Sequence, residues 1–503
     1  MSHSNMKKST LLLLLTLSAM ISAIGQNPAT LRGVIYDEKT NEPLPYANII
    51  VLHKYIGSVS NESGDFYLKR SDLYDTDTIS FQYIGYETKK YLVGDLDSVF
   101  TVYLKEALIN LNETFVYGNP PDAKTIIKKV VENKAANYKI IGSKNQVFIR
   151  KRDVSDIEEL STDLKKNSIS QLDEQMIQNT LVKIPRHLTS YTDMLGDLYF
   201  LSDHTDSLKV NPLRTVSLKE IEIAELDQFG KIFENLFNET QDEEYWKVKT
   251  GILSQKLDIE KDPDGDTLAE TKPGKDSTNV KYYASNIRYW LKYASINDTR
   301  EWEFLYDTRK YQYDLLGGSH VNGEDVYIID FVPKSGGEYI GRVYVSTTTY
   351  ALIRADYEYA EGKTGRDFQL FGIGYTEDYF KASIYFEKQD DSYQLKYFSK
   401  ISGAHFSLDR NIALIKKKKR WLADKTLNEI KVNMNLAVKT QASVEALFLE
   451  HQAISESQFN QYRQPRFMKV VYVDQFTDQL WDGYPIIEPT KRMREYKKQD
   501  VDW

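Results

Sequence analysis

The chain has 503 residues, 41% of them hydrophobic, with a mean hydropathy of −0.50, 36 tyrosines and no cysteine. That length gives room for two or three domains with their own cores, and the negative hydropathy argues against a polytopic membrane protein. A chain without cysteine has no disulfide framework and no lipid-modified N-terminal thiol, so its stability rests on packing alone.

Residues 1–25 read as an export signal: Lys7 and Lys8 form a positive start, Leu11–Ile24 an apolar stretch, and Ala23-Ile24-Gly25 a small-residue cleavage site. The stretch is interrupted by Thr16, Ser18 and Ser22 and falls short of the ~20 apolar residues of a membrane span. No later stretch is long enough to span as a helix, so no transmembrane segment is expected after cleavage. Loss of Lys7 and Lys8 takes the net charge from −8 to −10. Such an acidic chain is a poor nucleic-acid binder, because that binding depends on neutralising phosphates.

Residues 31–118 alternate in strand fashion. Val34, Tyr36, Ile49, Val51, Phe66, Leu68, Ile79, Phe81, Tyr83 and Val102 recur at period two between clusters of Gly, Pro, Asn and Asp. The pattern predicts an antiparallel β-sandwich, with Gly33, Gly64 and Gly85 where a strand must turn or let another backbone approach. Four motifs at matching spacing, G-V-I-Y-D-x-x-T-x-x-P-L-P-Y-A-N-I (Gly33–Ile49), S-G-D-F (Ser63–Phe66), I-G-Y (Ile84–Tyr86) and L-N-E-T-F-V-Y-G (Leu111–Gly118), resemble the carboxypeptidase-regulatory-like domain of Gram-negative envelope proteins. The resemblance implies a transthyretin-like sandwich, a non-catalytic role in binding or spacing, and a location in the periplasm or at the outer membrane. In that family the domain often precedes a TonB-dependent receptor. Here Asn119-Pro120-Pro121 closes it, and the remaining ~380 residues are too few for a plug and a large barrel.

A helix is expected from Asp122, an N-cap, with Ile126, Ile127, Val130 and Val131 as its apolar stripe. Gln146–Lys151 reads as a strand and Glu225–Asn238 as an amphipathic helix, while residues 152–220 carry no pattern that assigns elements. Asp262–Asn279 is a polar excursion. From 281 to 440 the candidate strands are Trp302–Leu305, Tyr311–Leu315, Asp325–Val332, Tyr339–Ser346, Tyr350–Tyr359, Tyr379–Glu387, Tyr393–Ile401 and Leu427–Val438, with turns at Gly317-Gly318, Asn322-Gly323 and Gly336-Gly337. The hairpin run Gly323–Asp356 resembles the outer-membrane lipoprotein carrier fold, a curved antiparallel half-barrel closed by helices. The expected class is thus α+β: a sandwich at 31–118, a mixed domain with a half-barrel at 122–440, and a C-terminal extension at 441–503 docked on the body by Phe476, Trp481 and Tyr484. That tail, Phe476–Pro489, resembles the ends of uncharacterised envelope proteins with the same N-terminal domain.

Catalytic motifs are missing from the sequence. The histidines show no H-E-x-x-H spacing; His187 and His204 with Asp193, Asp197 and Asp206 are the one local group, read as polar-loop residues. Ser319-His320 lacks a nucleophile elbow. Gly372-Ile373-Gly374 lacks the third glycine of a phosphate loop. Asp262–Asp266 has spaced carboxylates, but Thr267 and Pro273 stand where a calcium loop needs Gly and Glu. Glu158-Glu159 and Asp390-Asp391 read as solvated charge. No enzyme activity, metal or cofactor is expected.

Two binding features stand out. Ile329, Phe331, Val343, Val345, Ile353, Ala355, Tyr357, Ile384 and Phe386 alternate onto one apolar face that could line a groove for an acyl chain, or equally form a filled core. Lys416, Lys417, Lys418, Lys419 and Arg420, followed by Trp421, could meet anionic lipid or simply be a solvated connection. The expected function is therefore non-catalytic envelope binding, with a lipid or acylated protein held in the half-barrel. The alternative is an adaptor of an outer-membrane assembly, working through the sandwich.

Overall fold

A computed structural model describes residues 30–54, 56–107, 121–139, 142–201, 207–219, 224–241, 243–251, 253–257, 276–321, 324–481 and 486–496. The chain divides into two compact units. The first holds the N-terminal sheets together with the later residues 318–321 and 486–492; the second holds the rest.

The first unit has strands β1 (Thr30–Asp37), β2 (Asn48–Val51), β3 (Ile56–Val59), β4 (Asp65–Lys69), β5 (Thr78–Gln82), β6 (Lys89–Leu92) and β7 (Val99–Leu104). They form a three-stranded sheet, β4-β1-β7, and a four-stranded sheet, β3-β2-β5-β6. Leu31, Ile35, Phe66, Leu68, Val102 and Leu104 from the first share one core with Ile49, Val51, Ile79 and Phe81 from the second.

Two expectations change here. β1 pairs with β7 in parallel, so the unit is not purely antiparallel. The inward residues of β1 are Leu31, Gly33 and Ile35, with Val34 and Tyr36 on the other side. Gly33 and Ile35 alternate with Val34 and Tyr36, so the middle of the strand is apolar on both sides and its alternation alone leaves the phase open. Gly33 decides it, because a Cβ there would lie 2.2 Å from the Phe100 carbonyl oxygen and 2.7 Å from the Phe66 ring.

The motif residues hold turns. Asp37 accepts the backbone N–H groups of Lys39 and Thr40, each at 2.7 Å, and the Tyr86 hydroxyl at 2.6 Å. Gly64 turns at φ +77°, where a side chain would strike the Ile35 carbonyl. From the tail, the Glu488 carbonyl accepts the Asn61 amide at 3.0 Å, and Ile487 is fully buried.

The second unit is built on one open sheet. Its strands are β8 (Ser143–Asn167), β9 (His187–Phe200), β10 (Lys209–Leu218), β11 (Glu244–Thr250), β12 (Leu253–Lys256), β13 (Ser277–Asn279), β14 (Tyr311–Val321), β15 (Glu324–Pro333), β16 (Tyr339–Ser346), β17 (Leu352–Tyr359), β18 (Asp367–Leu370), β19 (Ile373–Gln389), β20 (Ser392–Lys418), β21 (Lys425–Ala453), β22 (Phe467–Lys469) and β23 (Val471–Val473). The order along the main path is β14-β15-β16-β17-β19-β20-β21-β8-β9-β10-β23, with β11, β12 and β18 off it; β13 and β22 pair separately. β8, β20 and β21 run 25, 27 and 29 residues, far beyond the usual ~5–6.

The helices Ala123–Glu132, Glu174–Lys183, Ala224–Asn238 and Val280–Lys292 join these strands. Asp122 caps the first by accepting from the Thr125 N–H at 3.1 Å. Among the described residues no helix is long and apolar enough to cross a membrane.

Several boundaries differ from the sequence reading. Trp302–Leu305 is not a strand: Glu303–Tyr306 is one helical turn with Trp302, Phe304 and Leu305 buried. An apolar run this short fits either period. Gly317-Gly318 lies inside β14 rather than at a turn. The expected division at 440/441 falls within β21, which continues to Ala453. Residues 152–220, unassigned in sequence, supply most of β8 and all of β9 and β10. The calcium-loop-like Asp262–Asp266, the Asn322-Gly323 turn and most of the polar excursion lie outside the described residues.

Candidate binding surfaces

Of the nine apolar residues expected to line a groove, Ile329, Val343, Ala355 and Ile384 fall in one cross-strand row, and register shows how far that row extends. Ile329 pairs with Val343, Val343 with Ala355, Ala355 with Ile384, and Ile384 with Phe398. The row continues through Ala446, Ile149, Met194 and Thr215, crossing nine strands with every residue buried. The sequence reading missed the last five; Phe398 lies on the next strand of the hairpin run, and the other four come from four strands distant along the chain.

This face is filled. Phe331 stacks on Phe304 with ring centroids 4.3 Å apart, Tyr357 packs against Trp302 at 5.9 Å, and Phe386 meets Tyr138 edge-on at 5.1 Å. Among the described residues a cavity of about 70 Å³ is bordered by Tyr138, Asn145, Phe200, Leu291, Phe386 and Tyr393. Ligand pockets usually run to ~300–1,000 Å³. Of the nine expected lining residues, only Phe386 reaches this space.

One cation sits in the same face. Lys400 pairs with Ala382, next to Tyr357 in the adjoining row. Its Nζ lies 3.0 Å from the Ser402 hydroxyl and 4.4 Å from the centre of the Tyr293 ring. Burial pulls the Lys400 pKa down, opposed by Glu377 and Glu301. Glu301 in turn is pushed up to about 7, mainly by burial and then by Asp298.

Farther along β8, β19, β20 and β21 the face changes character. Ile157, Val438, Phe406, Tyr375 and Phe368 form one cross-strand row; Leu160, Leu436, Leu408, Ile373 and Leu370 form the next. Eight of these ten are half-buried, and Phe368 and Leu370 are exposed. The alternation from Ile430 to Val438 was legible as a strand, but its neighbours were not.

The basic run splits by environment. Lys416 is buried, 3.0 Å from Glu244, and its hydrogen bond is the largest influence holding that carboxyl below its usual range. Lys418 faces Glu243 at 3.7 Å. Both lie in β20 opposite β11, so they close a strand edge. Lys417, Lys419 and Arg420, with Lys425 beyond the turn, enter no ion pair among the described residues. Trp421 and Leu422 at the tip are 96% and 85% exposed.

The residues weighed for catalysis are dispersed. Asp193 is held by Arg150 in a buried two-pronged pair at 2.8 and 2.9 Å. Asp197 meets Lys144 at 3.2 Å, and His187 meets Asp156 at 2.6 Å on the surface. His204 and Asp206 lie outside the described residues. Ser319 and His320 are consecutive in β14, the first buried and the second exposed, so they point to opposite faces. Gly372 forms the β18–β19 turn at φ +75°. Glu158 pairs with Lys439, and Asp390 sits in the β19–β20 turn. Among the described residues no three His, Asp or Glu side chains are grouped to hold a metal.

Residues 31–116 match the model of the CarboxypepD_reg-like domain. The match covers the motif-bearing part of the first unit, including Asp37, Gly64 and Tyr86. No curated protein matches the chain. Solved structures with some likeness include a domain described as an outer-membrane lipoprotein-sorting protein from Vibrio parahaemolyticus, at 8% identity over 67% of this chain and 97% of that one, with a TM-score of 0.19. A DUF1329 family protein from Desulfovibrio piger has 12% identity over 68% and 98%, with a TM-score of 0.20. A LolA superfamily protein from Nitrosomonas europaea has 9% identity over 67% and 96%, with a TM-score of 0.16. Likenesses this faint fix neither the fold nor the function of this chain.

Proposed function

We propose that this chain is a non-catalytic binding protein of the cell envelope, exported to the periplasm or the outer membrane, and that it acts as a structural adaptor. Its N-terminal sheets form a small sandwich that engages a protein partner, and its long sheet is the rigid frame. The observation that carries the adaptor reading is the filled face: the nine residues that a half-barrel carrier would line its groove with are packed against Trp302, Phe304 and Tyr138. The first unit offers an edge for pairing. β7 has β1 on one side and no strand on the other among the described residues, with Val99 70% exposed and Tyr103 42% exposed.

Lipid capture is the second reading, and one observation favours it in a new place. The half-buried rows around Leu436 and Leu408 form an apolar strip along the long strands, and an acyl chain gains ~0.8 kcal/mol per CH₂ buried. Native mass spectrometry of the exported protein with extraction of its lipids separates the two. The adaptor predicts the bare chain mass. One lipid per chain, lost on Leu408→Glu but kept on Ile353→Ala, would overturn it and place carriage on the distal strip.

A further inference from the structure

The β20–β21 hairpin is the longest in the molecule, and its tip is unlike the rest of the surface. Lys419–Asp424 connects the two strands, carrying Trp421 and Leu422 outward into solvent. Two adjacent large apolar side chains this exposed form a contiguous apolar patch, the kind of feature that marks interaction and membrane sites.

The turn is held in shape from below. Asp424 accepts the Tyr245 hydroxyl at 2.7 Å and the Arg420 N–H at 3.3 Å, and the Lys419 N–H donates to the Glu243 carbonyl at 2.9 Å. The Tyr245 hydrogen bond, then the Arg420 N–H, keeps the Asp424 carboxyl below its ordinary range. These contacts leave Trp421 and Leu422 free of any inward role.

Charge around the tip follows the same division. The acids are occupied: Glu244 with Lys416, Glu243 with Lys418, and Asp424 with the turn itself. The cations left over are Lys417, Lys419, Arg420 and Lys425. An acidic chain of net charge −8 thus presents a local positive surface around two exposed apolar side chains.

We propose that this tip docks on an anionic lipid surface, with Trp421 and Leu422 entering the interface and Lys417, Lys419, Arg420 and Lys425 facing the headgroups. Trp suits that depth, having an apolar ring and a polar N–H. Basic side chains beside an anionic leaflet add attraction that decays within a Debye length. Lys416 takes no part, since it is buried against Glu244. The inference is independent of what the N-terminal unit binds.

Co-sedimentation of the purified full chain with vesicles tests this. Binding is expected to phosphatidylcholine vesicles containing phosphatidylglycerol, and to fall steeply as salt is raised from about 0.05 to about 0.5 M, because the Debye length shrinks. Replacing Lys417, Lys419, Arg420 and Lys425 together by Gln should weaken it about 100-fold or more. Trp421→Ser with Leu422→Ser should weaken it while keeping its salt dependence. Because these side chains are exposed, unchanged circular dichroism is expected for both variants. Binding that survives either variant, equal binding to pure phosphatidylcholine, or binding to an acidic polypeptide but not to vesicles would overturn the proposal.

Discussion

Arg150 and Asp193 are among the most buried charges in the molecule, and their two parallel hydrogen bonds are what makes that burial tolerable. Asp193→Ala removes both of these bonds and the countercharge from the buried Arg150 guanidinium and should cost about 3–5 kcal/mol in urea denaturation. Replacing both by apolar side chains should recover most of that loss, because removing a buried pair is far cheaper than breaking it. Glu301 carries the opposite signature. Its folded pKa is raised to about 7, so the fold favours its neutral form. The stability it contributes is complete below the unfolded value near 4.5 and is lost as pH climbs towards 7. Glu301→Gln should therefore match the wild type near pH 4 and exceed it at pH 8, by about 1–2 kcal/mol after screening. Thermal melts across that range check the sign; a constant difference would count against it.

At the level of elements, the one-turn helix Glu303–Tyr306 does more than its length suggests. Phe304 is fully buried and touches Phe331, Tyr339 and Tyr357 from β15, β16 and β17. Phe304→Ala should cost about 3–5 kcal/mol by lost burial and the cavity left behind. The same plug explains why the apolar face is a core rather than a groove. Sequence alternation placed Ile329, Val343 and Ala355 together correctly but carries no information about what lies on top of them. The basic run teaches the same lesson in the other direction. Five consecutive cations look equivalent in sequence, yet β20 directs Lys416 inward to Glu244 while the turn leaves Lys419 and Arg420 outside. Only the pairing with β11 separates them.

Across the whole molecule, the two units differ in how visible they were. The first is announced by local motifs: Asp37 closes the turn of its own strand and Gly64 its own loop, so the signal lies within a few residues. The frame of the second is non-local. β21 pairs with β8 across about 300 positions, with Lys144 opposite Gln452 for example, and neither strand's length shows in its own pattern. The long strands alternate only intermittently because their surroundings change along them: a covered face, a half-buried strip, a second core where Leu414 and Ile430 pack by Trp246, and an exposed tip.

The sequence by itself determined the small N-terminal domain and its turns, the strand character of 311–401, the helices from Asp122 and near Glu225, and the presence of an apolar face and a basic run. Each depends on residues within one turn or one period of each other. Tertiary structure decided the phase of β1, the parallel pairing of β7, the assignment of residues 152–220 to the central sheet, and the filling of the apolar face by Trp302, Phe304 and Tyr138. It also selected which cations face outward. Those outcomes depend on partners brought together from far along the chain, and periodicity within a strand cannot specify its neighbour.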